Sequence, residues 1–200
     1  MTKPFSQACE NNKQSILAKL LLAFSQSKQI LEIGSGTGQH AVYFAKHLPK
    51  LHWQTSDLLI NHQGINQWID QFPASNIQRP IALDLSTLSS LSNMTAIIDG
   101  IYTANTLHII SWSLVIKFFK ELAYHLTPKG IICIYGPFNY KGQFTSESNA
   151  SFDLRLKERD INSGIRDFEA IVELAKTAKL QLINDHQMPA NNRLLVFIKN

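Results

Sequence analysis

Gln29-Ile30-Leu31-Glu32-Ile33-Gly34-Ser35-Gly36-Thr37-Gly38 decides how this chain is read. Ile30, Leu31 and Ile33 make a short apolar run that reads as a buried strand, and the glycines at 34, 36 and 38 turn the chain out of it. From His40 to Leu48, Ala41, Phe44, Ala45 and Leu48 recur on one helical face. Strand, glycine turn and helix in that order form the first unit of a nucleotide-binding α/β sheet.

Glu32, a carboxylate inside the strand just before the first glycine, narrows the ligand. A dinucleotide presents a pyrophosphate to the bare N–H groups at the helix N-terminus, and a buried acid beside it repels that charge. S-adenosylmethionine carries an ammonium and a sulfonium and no phosphate, so nearby carboxylates favour it. Glu-x-Gly-x-Gly-x-Gly therefore points to a methyl donor rather than a redox cofactor, even if Glu32 also shapes the turn by binding loop amides. Two later acids fit the same scheme. Leu51 to Leu59 reads as a second strand ending at Asp57, close to the ~20-residue spacing from the glycine turn at which an acid meets a ribose. Pro80 to Leu85 reads as a third strand ending with Asp84, placed for an adenine edge. Alone, each acid reads as a helix cap or loop residue. In order, each closing a strand at one edge of the sheet, they outline a pocket that Ser35, Leu58 and Leu85 are expected to complete.

The chain has 200 residues, 44% of them apolar, enough for a real core and too many for a disordered chain. Its net charge of +4 is scattered, with no Lys/Arg block, so no basic stripe argues for a nucleic-acid partner. Cys9 and Cys133 lie far apart without a Cys-x-x-Cys pair, which fits a reducing cytoplasm, and Cys133 reads as a small buried hydrophobe. The seven histidines show no metal-ligand spacing, so no metal is expected. Ile16 to Phe24 is interrupted by Lys19 and puts its apolar residues on one face. It reads as an amphipathic first helix, neither a signal peptide nor a membrane span.

Beyond Asp57 the pattern alternates. A helix runs over Gly64 to Phe72, Ser86 to Met94 is a short helix or loop, and Ala96 to Ala104 holds the fourth strand. Ser111 or Ser113 caps a helix reaching Leu126, Thr127 to Gly130 turns it, and Ile131 to Tyr135 is the fifth strand. Asp167 caps a last helix to Ala178, and Leu180 to Asn184 and Leu194 to Ile198 close as an antiparallel hairpin. Without repeats or linkers, residues 1–200 read as one domain. Ligands in such sheets bind above the strand C-termini. After strand four, Asn105 is placed to touch cofactor or substrate, and His108 is the best-placed group titrating near neutrality. After strand five comes a long polar stretch from Gly136 to Asn149, then a helix from Phe152 through Arg159, and then Gly164 and Arg166. Phe152, Asp153 and Arg166 are expected to face a polar substrate from this cap, and Phe138, Asn149 and Asn11 are candidates for the same role.

The run Ile30 to Ala41 resembles class I S-adenosylmethionine-dependent methyltransferases. More closely, the chain resembles the methyltransferase-like twenty-six family and its bacterial relatives. That likeness spans Pro4 to Lys13, Trp53 to Asp57, Ala104 to Ile109, Tyr135 to Phe138 and Phe144 to Asn149. It continues through Phe152-Asp153, Gly164 to Asp167 and Met188 to Asn192. The resemblance implies a Rossmann-like α/β fold, seven strands with the last antiparallel and helices on both faces. It implies that Glu32, Gly34, Gly36, Gly38, Asp57, Asp84 and Asn105 line a pocket for S-adenosylmethionine, with S-adenosylhomocysteine as product. Within residues 1–28 it makes Ala8 to Asn12 a flap over the cofactor. It supplies no substrate.

Methyl transfer is an in-line displacement that depends on alignment and desolvation. An amine or thiol acceptor must lose a proton, for which His108 is the candidate base, whereas a carboxylate needs none. No Asn/Asp-Pro-Pro-aromatic run and no Pro-Cys loop points to nucleic-acid methylation, so the expected acceptor is a small polar molecule. Two other readings follow from the same residues: a noncatalytic S-adenosylmethionine-binding module, and an NAD-binding oxidoreductase that would tolerate Glu32→Gln. Nothing in the sequence sets an oligomeric state.

Overall fold

The computed structural model describes residues 3–87 and 97–200. A first helix, α1 (Gln7–Ala23), leads into β1 (Gln29–Ile33), α2 (Gln39–His47), β2 (His52–Asp57), α3 (His62–Gln71) and β3 (Ile77–Ala82). The second half runs β4 (Ile98–Ala104), α4 (Trp112–His125), β5 (Leu126–Gly136), β6 (Phe138–Asn139), α5 (Glu147–Arg159), β7 (Arg166–Asp167), α6 (Phe168–Thr177), β8 (Leu180–Met188) and β9 (Asn192–Lys199). Seven strands form one sheet in the order β3-β2-β1-β4-β5-β9-β8. All neighbours are parallel except β9, which runs antiparallel to both β5 and β8. This is the Rossmann-like arrangement, and its strand order reverses between β1 and β4, where α/β sheets open a crevice.

Alternation along β1 assigns each side chain to a layer. Leu31 and Ile33 join Ile101, Ile134 and Phe197 against Val115 and Phe118 of α4 and Ile171 of α6. Ile30 faces the other way, among Trp53, Tyr102, Cys133 and Val196, under Ile16 and Leu20 of α1, Phe44 of α2 and Ile65 of α3. Glu32 shares the parity of Ile30, so its carboxylate enters this aromatic-rich layer.

Several boundaries differ from the sequence pattern. The third strand is Ile77–Ala82 rather than Pro80 to Leu85, so Asp84 lies in the turn beyond it. Pro80 is tolerated there because, among the described residues, β3 is an edge strand paired with β2 alone. The fifth strand begins at Leu126, the register against β4 shifting between Ile98 and Gly100. The helix expected from Phe152 begins at Glu147, because the Ser146 hydroxyl accepts from the Asn149 amide at 3.1 Å and caps it. Asp167 precedes α6 without a side-chain capping bond. The expected hairpin forms with longer strands, turning through Ala190 and Asn191, both with positive φ. The short helix or loop expected over Ser86 to Met94 falls largely outside the described residues. Among the described residues, no helix is long and apolar enough to cross a membrane.

Gly38 shows how tightly the first unit is built. Its φ is +88°, and a Cβ there would stand 3.0 Å from Ile65 Cα and 3.3 Å from the Ile65 carbonyl oxygen, both backbone atoms of α3. Gly142 also has positive φ, +70°, but nothing within 4 Å of a Cβ. Gly38→Ala should therefore cost at least ~2 kcal/mol, against ~1 kcal/mol for Gly142→Ala, as read by urea unfolding of the two variants.

Candidate active site

A cavity of about 470 Å³ opens above the C-terminal ends of β1, β2 and β4, at the reversal of strand order. Its floor is the glycine turn. The Gly34 and Ser35 amides both donate to the Ser56 carbonyl at 3.0 Å, and the Gly36 amide donates to Asp57 Oδ2 at 2.6 Å. The other Asp57 oxygen accepts from the Leu58 amide and from Asn61 Nδ2, each at 2.7 Å. Asp57 thus holds the turn on one side and the mouth loop on the other.

Glu32 is 3% exposed. Its Oε2 accepts from Trp53 Nε1 and from the Ser35 hydroxyl, both at 3.0 Å. Loss of water around the carboxylate pushes its pKa up to about 7, and the nearby Asp57 charge adds to the rise, whereas the two donors oppose it. Asp84 sits in the turn after β3, where its Oδ1 accepts from the Ser86 amide at 2.7 Å. The Ser86 side chain, and then that amide bond, hold its carboxyl below the usual range. Asn105 turns the chain after β4 with φ +57°, its amide donating to the Tyr135 carbonyl at 2.8 Å. Leu58, Leu83, Leu85, Ile109, Ile110 and Leu114 make the walls apolar.

Glu32, Asp57 and Asp84 all line this cavity, and among the described residues no Lys or Arg does. His40, also in the lining, is 5% exposed, and desolvation lowers its pKa to about 4, so it stands there neutral. The space suits a cation with a polar nucleoside end and gives no countercharge to a pyrophosphate. Among the described residues, no group of three His, Cys, Asp or Glu could hold a metal ion.

The family profile described as a protein of unknown function, DUF938, matches residues 3–199. The chain belongs to the DUF938 family. Solved structures share its architecture at low identity. An O-methyltransferase family protein from Burkholderia thailandensis superposes with a TM-score of 0.81 at 15% identity, covering 94% of this chain and 56% of its own. The corresponding figures for an O-methyltransferase family 2 protein from Planctomyces limnophilus, in complex with apigenin, are 0.82, 14%, 96% and 58%. For human N-acetylserotonin methyltransferase in complex with SAM they are 0.79, 14%, 97% and 53%. This DUF938 chain thus spans little more than half the length of those structures and carries their methyltransferase fold.

Of the residues expected at a cofactor, Glu32, Gly34, Ser35, Gly36, Asp57, Leu58, Asp84, Leu85 and Asn105 line the cavity. Gly38 does not, because it is turned against α3. The substrate candidates scatter. Asn11 is exposed on α1 and accepts from Gln7 Nε2 at 2.9 Å. Phe138 is 1% exposed and belongs to the core. Asn149 donates to Thr145 Oγ1 at 2.9 Å and to the Asn191 carbonyl at 3.2 Å, tying α5 to the β8–β9 turn. Asp153 accepts from the Ile165 amide at 2.7 Å and pairs with Lys157 at 2.7 Å. The Arg166 guanidinium donates to the carbonyls of Leu107 at 3.0 Å, Asn162 at 2.9 Å and Ile110. Both charges are therefore used to hold backbone rather than offered to a ligand. Phe152 meets the ring of His108 edge-on at 5.3 Å. His108 itself is 4% exposed and outside the cavity lining, and burial, helped by the Arg166 charge, lowers its pKa to about 4.

Sequence reasoning missed Ser6, Gln39 and His40, which tie the N-terminal segment, where the resemblance places a flap, to the cavity. Ser6 and Cys9 of that segment line the cavity. Gln39 holds it, its Oε1 accepting from the Ser6 amide at 2.5 Å and its Nε2 donating to Glu10 at 2.9 Å. His40 Nε2 donates to Asn12 Oδ1 at 2.7 Å, and Trp68 Nε1 donates to the Pro4 carbonyl at 2.7 Å. The signal was present in Gln39 and His40. Two polar residues opening a helix whose next turn is apolar are, at 2% and 5% exposure, too buried to be merely a solvated helix end.

Proposed function

We propose that the protein is an S-adenosylmethionine-dependent methyltransferase acting on a small polar acceptor, with S-adenosylhomocysteine as product. The observation that carries this reading is a cavity at the strand-order reversal lined by three carboxylates and, among the described residues, no Lys or Arg. Glu32 and Asp57 favour the ammonium, sulfonium and ribose of such a donor. The Asp84 turn, between Leu83 and Leu85, takes the adenine edge. The fold shared with solved methyltransferases supports the same assignment, as does the likeness of the runs from Pro4 to Lys13 and Ala104 to Ile109 to the methyltransferase-like twenty-six family. On this reading residues 1–200 act as one domain, working in the cytoplasm, with the segment before β1 as its cover.

The chain's own part in the reaction is alignment and exclusion of water. As proton acceptor for an acceptor group that must lose a proton, we assign His108. Its low pKa keeps the imidazole neutral at physiological pH, so the rate should not change between pH 6 and 8 on its account and should fall only toward pH 4. His108→Ala should lower turnover by ~10²-fold or more while leaving methyl-donor affinity nearly unchanged. Equal turnover in the two proteins would remove His108 from the chemistry.

Calorimetric titration with S-adenosylmethionine, S-adenosylhomocysteine and NAD in parallel tests the cofactor. Micromolar binding of both adenosyl compounds without NAD is expected. NAD binding with silence from the other two would reassign the glycine turn to redox chemistry. Donor binding with no turnover across an acceptor screen would favour a noncatalytic binding module.

A further inference from the structure

The Asp57 carboxylate is nearly full before any ligand arrives. A carboxylate offers about four acceptor positions, two on each oxygen. Asp57 Oδ1 accepts from the Leu58 amide and from Asn61 Nδ2, both at 2.7 Å, and Oδ2 accepts from the Gly36 amide at 2.6 Å. Among the described residues these three donors fill both positions on Oδ1 and leave one open on Oδ2. Asp57 is buried, and Gly36, Leu58 and Asn61 line the cavity with it.

A ribose presents two adjacent hydroxyl donors, and one carboxylate grips both by giving one position on each oxygen. Oδ2 serves one hydroxyl as it stands. Oδ1 serves the other only after one of its donors leaves. The donors are not equally held. The Leu58 amide belongs to the residue next to Asp57 in the chain. The Gly36 amide sits in a glycine turn whose Gly34 and Ser35 amides are both bound to the Ser56 carbonyl. Asn61 Nδ2, by contrast, ends a rotatable, half-buried side chain. Its departure leaves the backbone of the mouth loop in place. The Asn61 amide donates to the Leu58 carbonyl at 2.9 Å, and His62 Nε2 donates to the Asp57 carbonyl at 3.1 Å.

We infer that Asn61 is a specificity-determining residue of this cavity: its side-chain amide holds the place of one ribose hydroxyl on Asp57, and a ligand displaces it by presenting a vicinal diol. This rests on the methyl-donor reading, which puts the ribose at Asp57. A ligand with a single hydroxyl uses the open position on Oδ2 and leaves Asn61 where it is. A diol takes both oxygens, and its second bond is offset by the one that Asn61 gives up. Asn61 thus keeps the empty carboxylate satisfied and narrows the advantage of a diol over a deoxy compound.

Calorimetric titration of the parent, Asn61→Ala and Asn61→Leu with S-adenosylhomocysteine and its 2′-deoxy analogue separates the outcomes. Both variants lack the amide, and leucine keeps the volume. Without the competitor, S-adenosylhomocysteine should bind each variant ~10-fold more tightly than the parent, the worth of one hydrogen bond to a charged group. The 2′-deoxy analogue should stay within ~2-fold, so the ratio between the two compounds widens. A purely structural Asn61 predicts instead that both compounds bind more weakly, and alike. An unchanged or narrowed ratio in both variants, with S-adenosylhomocysteine still binding the parent, overturns the inference alone. So does a ratio that widens with alanine and not with leucine, which assigns the effect to space. A parent silent to both compounds overturns the donor reading, and the role of Asn61 with it.

Discussion

Glu32→Gln should stabilise the empty protein and abolish its affinity for a methyl donor. The carboxyl lies in the aromatic layer beneath the glycine turn, and its pKa is pushed from an ordinary 4.5 to about 7. The folded state therefore holds this proton more tightly than the unfolded chain does. The resulting stability is fully present below pH 4.5, falls as the pH rises from 4.5 through 7, and is flat above, a loss of about 3 kcal/mol from this one group. Glutamine keeps an oxygen for Trp53 and Ser35 and has no charge to bury. The variant should be 1–3 kcal/mol more stable than the parent at pH 8, roughly, and equal to it near pH 4.5. It should bind S-adenosylmethionine at least ~100-fold more weakly, because the cation loses its buried partner. Urea unfolding at the two pH values, with calorimetry at pH 8, reads both effects. A variant that is less stable at pH 8, or that binds the donor normally, would make Glu32 a purely structural strand-end residue.

Asp57→Ala should have the opposite sign in stability and an equally large effect on binding. Three donors, the Gly36 and Leu58 amides and Asn61 Nδ2, lose their acceptor together. Partial access of water to the cavity compensates some of this, leaving a loss of ~2–4 kcal/mol in unfolding free energy. The glycine turn and the mouth loop lose their common anchor, so donor affinity should fall by ~100-fold or more. Asp57→Asn, which retains one acceptor oxygen, should fall between. A readout beyond stability comes from the 2′-deoxy analogue of S-adenosylhomocysteine. The parent should bind it more weakly than the natural compound, whereas Asp57→Ala should bind the two alike. Retained discrimination in the variant would assign the ribose to another residue.

Much of this was legible in the sequence because it depends on local pattern. The run from Gln29 to Gly38 announces strand, turn and helix through apolar spacing and glycine, and the short link from Met188 to Asn192 announces the closing antiparallel hairpin. Glu32 and Asp57 stood out because a charge at the end of an apolar run has few ways to be buried. The cap resisted reading for the converse reason. Asp153 and Arg166 lie in a polar stretch, where a charge looks the same in sequence whether it meets a ligand, a lysine or a carbonyl. The structure spends both on backbone. Phe138 reads as an exposed aromatic in a loop, yet β6 pairs with β7 and folds it into the core. Ser6 and Cys9 reach the cavity through contacts with Gln39 and His40, partners about thirty positions away that local periodicity does not report.

Four bonds join the loop after β4 to the segment after α5. Arg166 holds the Leu107 and Ile110 carbonyls, the Gly164 amide donates to the His108 carbonyl at 2.9 Å, and the Ser163 hydroxyl donates to the Ile109 carbonyl at 2.5 Å. Ile109 and Ile110 are walls of the cavity, so the cap and the pocket wall are one mechanical unit. Amide hydrogen exchange should show 107–110 and 162–166 opening together as a single cooperative segment. Whatever fills the cavity against Ile109 and Ile110 would then slow exchange in the cap, at amides it never touches.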